Sequence, residues 1–396
     1  MSTNSPLPAN PDFSLVVGGP LFQLFRRAHL SGDGLELLWR RVVVLAAIAW
    51  VPLLLLSLAS AQAFGDAVRI PFVSDVEAHV RFLVALPLLI AAELVVHRRL
   101  LPAVRQLLER RIVSDADLPK FRQAVDSTVR LRNSVWIEVA LIALVYTVGI
   151  WVWRTEVAME SASWYAVPDD GGMRLTPAGW WFVFVSVPIF QFILLRWYFR
   201  FLLWFMFLFR VSRLELKLIP THADRTGGLG FLGASTTAFA PVLVAQGAML
   251  AGLIASQIFH AGHALPEFKV QIVAFLGFFI SVTLIPLTVF APDLAQAKRG
   301  GLAKFGRLAS RYSGGFEGKW FGADAPTDGE LLGSGDIQSL ADLGNSFSVV
   351  QEMRFAPFGW RDVTRLAAIT TTPFLPLLLT VFSLEDFANY VIKAIF

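Results

Sequence analysis

The chain has 396 residues, 55% of them hydrophobic and only 16% charged, with a formal net charge of +4. A water-soluble chain of this length needs more polar surface, so a soluble globular fold is excluded. The absence of cysteine excludes disulfides, thiolate metal sites and cysteine nucleophiles, and the slight positive charge needs no nucleic acid to explain it.

Residues 1–41 are polar, then partly amphipathic around PLFQLFRRAHL, with no cleavable signal pattern. The first apolar run starts at Val42, after Arg40 and Arg41, and reads as an anchor that stays. Apolar blocks follow at 42–64, 82–96, 135–153, 179–195, 238–259, 270–292 and 366–383. About 20 helical residues cross a bilayer core of about 30 Å; the second and fourth blocks are short and borrow flanking residues. The expected fold is all-α: a polytopic membrane protein of about seven transmembrane helices with a helical cytoplasmic layer.

The chain then divides at 1–41, a cytoplasmic N-terminal segment, and 42–96, transmembrane helices one and two. A cytoplasmic helical loop occupies 97–134. Helices three and four fill 135–237, together with a long basic and aromatic interfacial helix and a glycine-rich loop. Helices five and six lie in 238–292. A cytoplasmic loop with an amphipathic helix occupies 293–365, and helix seven with a C-terminal segment fills 366–396. With the N-terminus inside and seven alternating helices, 28 of the 34 Lys and Arg fall on one side. The positive-inside rule makes that side cytoplasmic and the C-terminus external.

Within 97–134, apolar residues at three- and four-residue spacing predict two cytoplasmic helices. The outer loop 154–178 carries PDDGG as a turn. Apolar character continues past the fourth block to residue 218, with Arg196, Arg200, Arg210, Arg213 and Lys217 on one helical face. That segment either bends along the inner membrane surface or projects inward and packs on cytoplasmic helices. In 293–365, Ile337, Leu340, Leu343, Phe347, Val350 and Met353 form an amphipathic stripe with Asp336 as its cap; the 97–134 helices are the expected partner.

HADRTGGLGFLG, residues 222–233, contains G-x-G-x-x-G at Gly228, Gly230 and Gly233. A dinucleotide fingerprint needs a strand before the glycines and an acidic residue about 20 positions on. Here Pro220 interrupts the approach, a membrane helix follows, and no acidic residue comes before Glu267. No nucleotide or other cofactor is expected. Glycines leading into a helix still leave backbone N–H groups for an anion. His222, Asp224, Arg225, Gly228, Gly230 and Gly233 are therefore candidates for an anion or lipid-headgroup site. Tight turns and close helix packing are the competing explanation.

This stretch, with GSGDIQSLADLGNSFSVVQEMRFAPF and PFLPLLLTVFSLEDF, resembles segments of a family of uncharacterised bacterial multispanning membrane proteins. The resemblance covers roughly the C-terminal half and implies a bacterial inner membrane. It carries no activity, so no functional residue transfers.

Glu93, Glu138, Arg196 and Arg200 fall near the inner edge of the hydrocarbon, where ionisable groups pair or face water. At least one Glu–Arg pair facing the bundle interior is expected, as a structural lattice or as an ion path. His260 and His263 lack an evident third metal ligand beyond Glu267, so no metal site is expected. Gln191, Gln246, Gln257 and Gln271 read as interhelical glue or pore lining. No catalytic residues are recognisable. The expected partners are membrane lipids, with anionic headgroups on the cytoplasmic side, and a second copy of the chain is an open alternative. Three functions remain. A channel or transporter of a small ion or solute leads, supported by Pro52, Pro87, Pro188, Pro241 and Pro286 as helix breakers. A sensor, scaffold or assembly factor follows, then an enzyme acting on lipid-linked phosphates.

Overall fold

The computed structural model describes residues 13–30, 37–65, 68–149, 163–169, 172–322 and 334–381. Its helices are α1 (Pro20–Arg27), α2 (Leu38–Ala59), α3 (Val76–Glu109), α4 (Leu118–Arg132), α5 (Val135–Leu144), α6 (Pro177–Val211) and α7 (Phe231–Ala261). They are followed by α8 (Lys269–Leu284), α9 (Ala291–Phe321), α10 (Gly335–Gln351) and α11 (Trp360–Thr371). Among the described residues the only strands are β1 (Ala166–Asp169) and β2 (Gly172–Leu175), an antiparallel pair with Ala166 opposite Leu175.

Six helical runs are long and apolar enough to cross a membrane: α2, α3, α6, α7, Leu265–Phe321 and Trp360–Thr380. The expected third span is different. Its described part, α5 with a π turn at Val145–Gly149, is short, and it meets the Asp115–Arg132 helix at a 46° bend. Counting that pair as one broken crossing gives seven. Residues 150–153 of this block and 382–383 of the last lie outside the described residues. Large apolar side chains such as Trp136, Val270, Val273 and Phe278 stand fully outward on these helices. Water would penalise that arrangement and hydrocarbon does not. The fold is an all-α polytopic membrane protein.

α3 and α7 form the centre, with α2 and α6 on α3, and α11 on α7. Small residues allow the close approach: a Cβ at Gly252 would lie 3.2 Å from Val80 Cβ, and one at Gly247 would lie 3.1 Å from the Thr370 carbonyl. At one end of the bundle, Asp75 caps α3 through the Ala78 N–H and also accepts from Trp164 Nε1 at 2.8 Å.

The prolines do not break the helices. A proline ring clashes with the carbonyl four residues back. Just before Pro87 and Pro188 the helix widens instead, with the Leu86 N–H donating to Arg81 O and the Val187 N–H to Phe182 O. Pro52 sits inside α2, and Pro286 lies in a 3-10 segment, Ile285–Phe290. Pro241 follows a 3-10 turn at Thr236–Phe239.

Two expectations about the layer outside the membrane change, and one open alternative is decided. The first predicted helix of the 97–134 loop is the uninterrupted continuation of α3. Of the two courses open to the apolar continuation of the fourth span, α6 takes the second: it runs unbroken to Val211, short of residue 218, and packs on α4. The 337–353 stripe packs mainly on α9 and not on the 97–134 helices. Its cap is Ser334, whose Oγ accepts the Asp336 N–H, while Asp336 itself pairs with Lys319 at 2.6 Å.

Candidate functional site

Four helices bring charge to one buried place. Glu93 on α3 is 8% exposed, and on α6 Arg200 is 4% and Arg196 9% exposed. Arg200 Nη2 donates to Glu93 Oε1 at 2.7 Å. Arg196 Nη2 lies 3.2 Å from Glu138 Oε1, bringing α5 into the same network. Arg196 and Arg200 are four residues apart, so one helical face presents both to carboxylates on two neighbours. The four residues singled out at this depth therefore meet as two ion pairs.

The sequence reading missed the fifth member. Arg41, on α2, is 1% exposed and places Nη2 2.8 Å from Glu93 Oε2. That contact is ionic without hydrogen-bond alignment, and Arg41 Nε has no acceptor. By position alone Arg41 belongs to the basic flank of the first span. The signal was present in the helical period: Arg41, Ala49, Leu53 and Ser57 share the buried face of α2.

The second omission is the N-terminal strap. Phe13 is 1% exposed and packs against Phe207 with ring centroids 4.7 Å apart. Ser14 Oγ shares a 3.0 Å hydrogen bond with His97 Nδ1, and Arg132 Nη1 donates to Ser14 O at 2.6 Å. Gly18 and Gly19, at φ 125° and 89°, turn the chain under Arg132 and Glu138. The Leu21 N–H, an orphan donor of the first turn of α1, then donates to Glu138 Oε2 at 2.9 Å. Residues 13–21 thus lie against Arg132 and Glu138, at one side of the charged network.

The glycine loop has its own internal anion. Asp224 Oδ1 accepts the N–H groups of Thr226 at 2.8 Å and Gly228 at 3.1 Å, and Oδ2 accepts that of Gly230 at 2.8 Å. His222 Nδ1 stands 2.9 Å from Asp224 Oδ1. Burial pushes the Asp224 carboxyl up, but these backbone donors and His222 outweigh it and hold it below the usual carboxylate range. Arg225 turns away, at φ 57°, and pairs with Glu352 at 2.9 Å. Arg354 donates from its N–H to Arg225 O and from Nη2 to Asp224 O, while a Cβ at Gly233 would meet Pro357 O at 2.6 Å. The loop is a joint between the end of α6 and the segment after α10. No strand of a sheet leads into it; Leu216 makes only an isolated bridge with Val113.

Elsewhere, His263 pairs with Glu267 at 2.7 Å and His260 bonds within its own helix to Ser256 O. No group of three metal-ligating side chains occurs among the described residues. Gln246 donates to Tyr198 Oη at 2.8 Å, joining α7 to α6.

Apolar spans closed around a buried charge network define an integral membrane protein of the polytopic helical class. No protein-family model, curated protein or solved structure matches the chain.

Proposed function

We propose that this is a non-catalytic membrane protein of the sensor or scaffold class, working through the helical layer outside the bilayer. One observation carries the reading: both carboxylates at membrane depth are already held by arginines, and Glu138 also by the Leu21 N–H of the strap. A pathway residue must exchange partners with a passing ion; Glu93 is held on both oxygens. The layer outside, by contrast, presents an α9–α10 hairpin in which only Leu294, Gly301 and Val350 are buried. An enzyme acting on lipid-linked phosphates is less well supported, because the Gly228 and Gly230 N–H groups already serve Asp224.

The proposed setting is a bacterial inner membrane with the basic side cytoplasmic and in contact with anionic headgroups. Transport of a small ion or solute is the competing reading, favoured by the cost of keeping five ionised groups at this depth. Proteoliposomes distinguish the two. The scaffold reading expects no flux of K⁺, Na⁺, H⁺ or Cl⁻ above protein-free vesicles. A flux that Glu93→Gln alters while the fold persists overturns it.

A further inference from the structure

Within the network, three guanidiniums, of Arg41, Arg196 and Arg200, face two carboxylates, of Glu93 and Glu138. A fourth cation, Arg132, stands within electrostatic reach of Arg200 and bonds only neutral oxygens, those of Ser14 and Asn133. The described part of the network is therefore over-positive. Arg41 is where the surplus is most costly. It is 1% exposed, shares Glu93 with Arg200, and its Nε finds no acceptor. The Phe25 ring, 5.4 Å from Arg41 Cζ, offers its π face but neutralises nothing. A buried guanidinium with an unmet donor and no full counter-charge is expensive, and an anion relieves both deficits together.

We propose that the network binds one compact inorganic anion of the chloride class at the Nε edge of Arg41. Compactness follows from enclosure. Arg41, Arg196 and Arg200 are all less than a tenth exposed. A phospholipid headgroup needs an open side for its chains. Guanidinium N–H groups donate well to a halide, and the surplus charge selects anions over cations. The inference concerns binding alone and does not rest on the scaffold reading: a bound chloride is compatible with zero flux.

The test is the unfolding midpoint of the purified full-length protein in detergent, at fixed ionic strength, as gluconate is replaced by chloride. The native protein is expected to show a saturable rise of a few degrees. Arg41→Gln removes the surplus charge and is expected to lose the chloride response. Glu138→Gln adds to the surplus and is expected to enlarge it. A purely structural network predicts the same midpoint loss in both salts for each variant. If Arg41→Gln does not fold, Arg41→Lys keeps the charge but removes the Nε donor, and its half-saturating chloride should rise several-fold. Equal native midpoints in chloride and gluconate overturn the proposal. So does a full chloride response in Arg41→Gln. A phospholipid that co-purifies with the native protein but not with Arg41→Gln, without any chloride response, also overturns it.

Discussion

Arg200 Nη2 lies 2.7 Å from Glu93 Oε1, and the pair joins α6 to α3 between two side chains almost closed to solvent. Removing one partner of such a pair strands the other. Glu93→Gln is expected to destabilise the fold by about 3–5 kcal/mol, because Arg200 and Arg41 both lose their counter-charge. The Glu93→Gln/Arg200→Gln double variant should recover part of that loss. Thermal unfolding of the four members of the cycle in one detergent checks this. Additive losses would show that the two residues are not coupled.

Asp224→Asn should loosen the 222–230 loop by about 1–3 kcal/mol, since Thr226, Gly228 and Gly230 then donate to a neutral, poorly directed amide. Hydrogen exchange at those three amides is expected to quicken before exchange in the spans changes. The pH dependence has a defined sign. A carboxyl held below its ordinary value contributes stability at pH values above the ordinary aspartate range, about 4, and loses it as pH falls through the lowered value. Amide protection should therefore fall on acidification in the native protein and stay flat in Asp224→Asn.

Glycines of α9 divide by environment. A Cβ at Gly301 would lie 2.7 Å from Pro220 Cβ and 2.8 Å from Val350 Cγ1, so Gly301→Ala should cost about 1–3 kcal/mol and unseat α10. At Gly314 and Gly315 nothing lies within 4 Å, and alanine there should stabilise α9 by about 0.5–1 kcal/mol each. Hydrogen exchange along α9 in the three variants would show protection falling in the first and rising in the others. Similar behaviour at all three positions would contradict the packing of α10 on α9.

Side-specific labelling tests the proposed orientation. The chain has no native cysteine, so single substitutions give clean labels. His263→Cys, on an exposed turn, should react with an impermeant maleimide from outside intact cells, and Gly314→Cys only after lysis. The opposite pattern inverts the assignment of the basic layer.

The spans were legible from the sequence because the bilayer reads hydropathy along one dimension: an apolar run of sufficient length marks a crossing without knowledge of its neighbours. Depth along the same axis also marked Glu93, Glu138, Arg196 and Arg200, since each lies near the inner end of its apolar run. Helix ends were less legible. α6 runs well past its apolar core into the basic layer because packing on α4 sustains it, and α3 does so against the start of α7; that support is invisible to a hydropathy window.

Tertiary structure alone decided which charges meet and which surplus remains. Arg41 and Glu93 are far apart in the chain, and only the packing of α2 on α3 brings them within 2.8 Å. Folding back of residues 13–21 brought the Leu21 N–H to Glu138. The glycine loop shows the same limit: its spacing fits an anion cradle, but the carboxylate filling it is Asp224 of the same loop. Composition and period fix what each helix can bury. The order in which helices pack fixes which polar groups are buried together, and therefore which of them still lack a partner.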